Sequence, residues 1–305
     1  MRGRRVVIFG AGGQDGPFVA QACLRRGAQV FGFARRTPPA CDVSDFAAVE
    51  SVIRERRPDF VFQLAAESRT AHEALFSNHA AIAGGAVNVL EAIRRHAPQA
   101  RVLLAGSGVQ FHNAGRPIHE SDAFDASSPY AAARIYATYL ARYFRQRMGL
   151  ATYVAYLFHH ESPARGERHT SMMIARAAAQ AEMHGPAVLE LGDVGVEKEW
   201  AYAGDIAEAM VRLVLQDAVS ECVVGTGEGH SIADWLTACY QRVGLDWREH
   251  VRIKPGFKAE YPRLVSNPET IMGLGWWPET SFQGLAEMML DAARRSALPN
   301  GGGGA

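Results

Sequence analysis

The stretch Gly10-Ala11-Gly12-Gly13-Gln14-Asp15-Gly16 restricts the folds open to this chain more than any other segment. It follows the apolar run Val6-Val7-Ile8-Phe9 and precedes a helical pattern over residues 17–26. A glycine-rich reversal between a buried strand and a helix lets backbone amides approach a pyrophosphate, and the helix N-terminus adds partial positive charge. A merely flexible loop would need neither the strand before it nor the helix after it. The turn therefore predicts a dinucleotide-binding unit in which Gly10, Gly13, Gln14, Asp15 and Gly16 serve the cofactor.

The alternation continues along the chain. Short runs rich in Val, Phe or Leu recur at 6–9, 29–34, 60–65, 101–105 and 151–158, with helical pattern between them, including a long stretch over 130–148. Such βαβ repetition predicts an α/β fold with a Rossmann-type doubly wound parallel sheet. After about residue 160 the elements become mixed: helices near 171–183 and from Asp205, short strands at 188–191 and 222–224, and a closing helix over 282–295. Ser231, with Asp234 three residues on, reads as a helix cap. These elements predict a smaller mixed α/β substrate-binding lobe. The expected division is 1–160 for the cofactor domain and its catalytic residues, 161–298 mostly for the lobe and interleaved with the first, and 299–305 for a flexible tail.

Composition sets the outer bounds. A chain of 305 residues, 48% hydrophobic and 21% charged, can bury a large core. Lys+Arg and Asp+Glu both number 32, so the balance predicts neither nucleic acid nor membrane as a partner, and any phosphate site must be local. No apolar stretch is long enough to span a bilayer. The start, Met1 to Arg5 followed by apolar residues, superficially resembles a secretory signal, but its apolar run ends in the glycine turn instead of a cleavage site. Cys23, Cys41, Cys222 and Cys239 lie far apart without a CxxC, which predicts small buried side chains in a reducing cytoplasm. His159 and His160 have no partner at helical metal spacing, so no metal site is expected.

Two further segments point to chemistry. NAD-selective enzymes place an acid about 20 residues past the glycines, where it binds the ribose 2′-hydroxyl. This chain has Arg35-Arg36 there, and guanidinium groups suit a 2′-phosphate, which predicts NADP(H). Asp42 and Val43 fall where they would reach the adenine, although Asp42 equally suits a helix N-terminus. Ser128-Pro129-Tyr130 starts a helix that carries Tyr130 and Arg134 on one face. A phenol is a poor base at neutral pH until a neighbouring cation stabilises its anion, which is what makes this pair suited to proton exchange with a substrate hydroxyl. Ser107, just past a strand, would provide a second hydrogen bond to that hydroxyl. The structural alternative for Tyr130 is aromatic packing with Tyr136, Tyr139 and Tyr143.

Nearly the whole chain resembles the extended short-chain dehydrogenase/reductases and, within them, the GDP-mannose 4,6-dehydratase family. Gly10 to Gly16 matches that family's Gly-x-x-Gly-Gln-Asp-Gly turn, and Arg35-Arg36 its NADP-binding pair. Pro58-Asp59 through Leu64-Ala65-Ala66 is similar to its Pro-Asp…Asn-Leu-Ala-Ala segment, which adds Leu64, Ala65 and Ala66 to the cofactor positions. Leu157-Phe158-His159-His160-Glu161-Ser162-Pro163-Ala164-Arg165-Gly166 resembles its Leu-Phe-Asn-His-Glu-Ser-Pro-Arg-Arg-Gly run. Leu191-Gly192-Asp193…Glu199-Trp200, Gly225 to Ser231 and Leu274-Gly275-Trp276-Trp277-Pro278 also look like family segments.

The resemblance implies an NADP-dependent enzyme working at C4 of a nucleotide-activated hexose, a GDP-hexose above others. Hydride leaves C4, a base removes H5 so that water departs from C6, and the hydride returns to C6. It implies His160, Glu161, Arg165, Lys198, Trp200 and Lys258 as substrate-binding positions, with Arg165, Lys198 and Lys258 holding a diphosphate by charge. Three departures bear on this. The family's base, a Glu in Thr-Ser-Glu-Leu-Tyr, is Val109 here, leaving His112 or Glu67 as replacements; its Tyr-x-x-x-Lys is Tyr130…Arg134; and its Arg-Pro-x-Glu-Val-Asp segment corresponds to Lys258-Ala259-Glu260-Tyr261-Pro262-Arg263. The alternatives are a 4-ketosugar reductase, a C4 dehydrogenase or an epimerase, or a cofactor-binding protein with little catalysis. An insertion that the family uses in tetramer contacts is absent between Arg36 and Cys41, so a homodimer stays open as the assembly.

Overall fold

Strands whose side chains are apolar on both sides must be covered on both sides, and the observed sheet obeys that requirement. The computed structural model describes residues 1–185, 188–257 and 259–297, so the tail expected at 299–305 and Lys258 lie outside the described residues. In chain order, β1 (Arg5–Phe9), α1 (Asp15–Arg25), β2 (Gln29–Phe33), α2 (Phe46–Arg56), β3 (Phe60–Gln63), α3 (Leu75–Asn78), α4 (Gly85–His96), β4 (Arg101–Ser107), α5 (Pro129–Met148) and β5 (Ala151–Leu157) come first. Then follow β6 (His160–Glu161), α6 (Thr170–His184), β7 (Leu189–Leu191), β8 (Glu197–Lys198), β9 (Ala201–Tyr202), α7 (Ala203–Val214) and β10 (Glu221–Val224). The chain closes with β11 (His230–Ser231), α8 (Ile232–Gln241), β12 (Val251–Ile253), β13 (Arg263–Leu264), α9 (Glu269–Gly273) and α10 (Phe282–Ala297).

Six strands form one sheet in the order β10-β5-β4-β3-β1-β2, with every pairing parallel. Along β1, Val7 and Phe9 enter a core shared with Ile53 of α2, Val89 of α4 and Ala137 of α5. Val6 and Ile8 enter the opposite core, with Val19 of α1 and Met210 of α7. Helices thus cover both faces, the doubly wound arrangement.

One element departs from its expected place. Residues 222–224 read as part of the smaller lobe, yet they form β10, which pairs with β5 and extends the large sheet. The reason is burial: Val223 faces one core and Cys222 and Val224 the other, an arrangement only a sheet covered on both sides provides. The lobe elements α6, α8 and α10 have their own apolar cluster, in which the Trp200 and Trp235 rings stack at 4.5 Å and 4°.

Local chemistry explains the helix starts that matter for the site. Ser128 accepts a hydrogen bond from the Ala131 amide at 3.1 Å ahead of Pro129, the first residue of α5. The cap of α2 is Asp45, which accepts from the Ala47 and Ala48 amides, so Asp42 is not the helix N-terminal residue. Asp42 instead accepts from the Ser44 amide and hydroxyl at 3.0 and 2.8 Å. Ser231 and Asp234 form the reciprocal cap expected of them.

Glu199 is fully buried and joins three segments: its carboxylate accepts from the amides of Thr226, Gly227 and Ser266 and from the Ser266 hydroxyl. Each buried donor left unpaired costs about 1–3 kcal/mol. Glu199→Ala is therefore expected to lower unfolding stability by at least about 3 kcal/mol, read as a lower urea midpoint at unchanged slope. A midpoint within error of the parent protein would refute this account of the junction.

Candidate active site

The strand order reverses direction at β1: the chain moves outward to β2, then returns to β3 on the other side. At such a switch point the loops leaving neighbouring strands diverge and open a crevice at their carboxyl ends. A cleft of about 290 Å³ lies there. Its walls come from the loops after β1 (Gly10, Gly12, Gly13), after β2 (Ala34, Arg35, Arg36) and after β3 (Leu64, Ala65, Ala66), joined by Asp42 and Val43.

The glycine turn is shaped by backbone approach. Gly10 has a φ of 86°, and a Cβ there would lie 2.5 Å from the Ala65 nitrogen, so no larger residue fits between the two loops. A Cβ on Gly16 would lie 2.5 Å from the Ala11 Cα, which makes Gly16 a residue of turn-to-helix packing, not of the cleft wall. Arg35 and Arg36 are exposed at the rim and have no carboxylate partner within hydrogen-bonding or salt-bridge distance among the described residues. A glycine cradle beside unpaired guanidinium groups fits a dinucleotide with an extra phosphate.

Gln14 and Asp15 turn elsewhere. Gln14 donates to the His160 carbonyl at 3.1 Å, and Asp15 meets His160 Nε2 at 2.9 Å. His160 Nδ1 is engaged by the Phe158 carbonyl at 2.7 Å, so both of its ring nitrogens are used within the protein and none is left for a ligand. Burial opposes charge on both partners, but their mutual attraction prevails: the Asp15 carboxyl is held below its usual range and the His160 imidazole above 6.5. This pair clamps the glycine turn to the end of β5.

Ser107 ends β4, and its amide donates to Gln110 Oε1 at 2.9 Å. Gln110 is buried and donates in turn to Thr138 of α5 at 3.1 Å, which ties the turn after β4 to the helix that carries Tyr130. Arg134, also buried, donates to the Ala105 carbonyl while its guanidinium carbon stands 5.1 Å from the Tyr130 ring centroid. Its Nε is buried without a partner. The expected catalytic residues are thus joined through two side chains, Arg134 and Gln110, the second of which the sequence offered no reason to single out. Tyr136, Tyr139 and Tyr143 are about half exposed, with Tyr139 edge-on to Phe124 and Tyr143 to Phe144, while Tyr130 packs against the main core.

A polar cluster occupies the region beyond β5. Glu161 Oε2 and Arg165 Nε are 3.0 Å apart but misaligned, so both atoms are buried without a hydrogen bond. Lys198 stands with its ammonium 4.6 Å from the Trp200 ring centroid. Burial lowers the Lys198 amine below 10.5, with Glu161 opposing and Arg165 adding to the shift. Trp200 itself is 2% exposed, stacked on Trp235 and bonded to the His230 carbonyl, so it supports the lobe core instead of facing a ligand. Of the replacement bases, His112 is exposed on the surface, and Glu67 is held below its usual range by hydrogen bonds from Arg69.

Among the described residues, no group of three or more His, Cys, Asp or Glu side chains is arranged to hold a metal ion, and no helix is long and apolar enough to cross a membrane. The four cysteines are buried and unbridged, and burial pushes the Cys23 and Cys239 thiols up to about 12. A second cavity, about 480 Å³, lies between the outer sides of α1 and α7 and shares no lining residue with the switch-point cleft.

Comparison with known proteins agrees with this arrangement. The family model for GDP-mannose 4,6 dehydratase matches residues 7–289. GDP-mannose 4,6 dehydratase 2 of Arabidopsis thaliana is 30% identical over 93% of this chain and 85% of its own, and GDP-mannose 4,6 dehydratase 1 of the same plant is 29% identical over 97% and 92%. Among solved structures, RMD from Pseudomonas aeruginosa complexed with NADPH superposes with a TM-score of 0.85 at 20% identity, covering 96% of this chain and 99% of that one. UDP-glucose 4-epimerase of Thermus thermophilus in complex with NAD gives 0.83 at 23% identity, over 95% and 99%. The six-stranded parallel sheet is accordingly of the Rossmann type shared by these structures, and the chain belongs to the GDP-mannose 4,6-dehydratase family of enzymes.

Proposed function

We propose that the protein is an NADP-dependent enzyme that acts at C4 of a nucleotide-activated hexose, with a GDP-hexose as the preferred class, and carries the reaction on to loss of water. The observation that supports this most directly is the union of the switch-point cleft with the Ser107, Tyr130 and Arg134 cluster on the same carboxyl edge of the sheet. A bound nicotinamide supplies reversible hydride acceptance at a sugar carbon. The chain's own residues do the rest. The amides of the glycine turn and the start of α1 hold the pyrophosphate, and Arg35 and Arg36 take the 2′-phosphate. Tyr130 exchanges the C4 hydroxyl proton, Ser107 hydrogen-bonds the same oxygen, and Arg134 stabilises negative charge at the phenol. Arg165 and Lys198 hold the diphosphate.

NADP preference has its own test. Replacing Arg35 and Arg36 together with Ala is expected to weaken NADPH binding about 10- to 100-fold while leaving NADH binding nearly unchanged, measured by fluorescence titration. Equal losses for both cofactors would count against the assignment. A second reading, chemistry confined to C4, draws support from Val109, an apolar side chain where the family pattern has a base. Incubation with NADP and a panel of nucleotide hexoses separates the two: the first reading expects a product lighter by one water with no net change in cofactor absorbance.

A further inference from the structure

Val109 cannot accept a proton, His112 is on the surface, and Glu67 is tied to Arg69. Another group at the same edge of the sheet is better placed. β4 and β5 run side by side with Ser107 opposite Leu157, and the Phe158 ring packs so closely on the turn after β4 that a Cβ on Gly108 would lie 2.8 Å from it. His159 follows directly. It therefore lies just past the end of β5, at the carboxyl edge of the sheet where the loops gather.

His159 is held there by a residue distant in sequence. Its Nε2 is 3.2 Å from the Tyr261 hydroxyl, and the two rings lie 6.1 Å apart. Tyr261 belongs to a segment that crosses the mouths of two other loops: Glu260 meets Thr70 after β3 at 3.3 Å, and the Arg263 carbonyl is bonded by Asn113 after β4. Tyr261 packs against the same core as Val109 and Tyr130. His159 Nδ1 has no hydrogen-bond partner among the described residues. With Nε2–H donating to the Tyr261 oxygen, the Nδ1 lone pair is left free, which is the arrangement of a general base. Both residues also fall where the chain departs from the family pattern, His159 in place of Asn and Tyr261 within the altered segment before β13.

We propose that His159, oriented by Tyr261, removes the C5 proton in place of the carboxylate that Val109 displaces. This rests on the reading that oxidation occurs at C4, which acidifies the adjacent C–H. The imidazole lone pair takes H5, and the C5–H electron pair becomes the C5–C6 double bond. The C6–O bond breaks with its own pair, and the imidazolium returns the proton to the departing oxygen, which leaves as water. No further oxidant or reductant is consumed in this step.

The surrounding charges keep this imidazole unprotonated before substrate binds. Burial and the neighbouring Lys198, Arg165, His160 and His169 hold it well below 6.5, which leaves it neutral but weakly basic; Glu161 and Glu260 are the acids on the adjoining segments. A diphosphate seated on Arg165 and Lys198 would cancel part of that repulsion and raise the basicity of His159 when substrate is bound.

The test is solvent deuterium exchange at C5 together with cofactor absorbance in single turnover, using the NADP-loaded protein and a GDP-hexose. For His159→Gln, NADPH is expected to form as in the parent, whereas deuterium uptake at C5 and water loss fall at least about 100-fold. Tyr261→Phe, which keeps the ring but frees Nε2, is expected to show a smaller loss. Normal uptake in His159→Gln overturns the proposal, as does a parent protein that forms NADPH without exchanging H5. If the Gln variant does not bind NADPH, His159→Asn is measured in its place under the same criteria. A parent that forms no NADPH with any nucleotide hexose refutes the C4 reading itself, an outcome distinct from failure of the base assignment.

Discussion

Tyr130→Phe is expected to lower turnover of a nucleotide hexose by about 10²- to 10⁴-fold, the usual worth of positioned acid–base catalysis, with NADPH affinity and thermal stability unchanged. The substitution isolates one atom. Phe retains the ring beside Arg134, whose guanidinium lies 5.1 Å from the ring centroid, so the cation–ring contact survives. Arg134 also stays anchored to the Ala105 carbonyl, and the link from Gln110 to Thr138 is untouched. Only the hydroxyl proposed to exchange the C4 proton is lost. Because the missing interaction belongs to the transition state, kcat should fall together with kcat/KM. A Phe variant with normal kcat would remove Tyr130 from the mechanism and leave aromatic packing as its role.

The second large effect is a recovery. In a His159→Gln background, Val109→Glu is expected to restore H5 exchange and water loss by about 10²- to 10⁴-fold, because it returns a carboxylate to the place where the family pattern has one. Val109 is partly buried in the short turn after β4 and packs on the main core, so the new side chain starts from a position fixed by Gly108 and the buried Gln110. The carboxylate will cost some stability there, and a lower Tm is compatible with the prediction. Product mass and deuterium content are the measurements. A folded double variant that oxidises C4 but takes up no deuterium would show that residue 109 does not face C5, and the argument from the family pattern would then fail at this position.

The residues that line the switch-point cleft were readable in the chain because short-range rules govern them. Gly10, Gly13, Arg35, Arg36, Asp42, Val43 and Leu64 to Ala66 all follow strands that announce themselves as apolar runs, and a parallel sheet sends every strand end to the same edge. Spacing along one helix likewise brought Tyr130 next to Arg134. Side-chain direction was not readable. Gln14 and Asp15 sit in the glycine turn yet point at His160, 145 residues away from Asp15, and Trp200 turns into the lobe core instead of toward a ligand.

Periodicity and turn chemistry act over a few residues, so the amino-acid order alone determined the βαβ alternation, the helix caps at Ser128 and Ser231, and the family to which the chain belongs. Tertiary packing decided what depends on two distant segments meeting. It placed β10 in the large sheet beside β5, because Cys222, Val223 and Val224 need cover on both faces. It gathered the loops after β10 and β13 around Glu199 and brought Tyr261 to His159. No local pattern encodes such meetings. Each is set by which buried groups must find partners once the strands have stacked, and that requirement exists only in the folded chain.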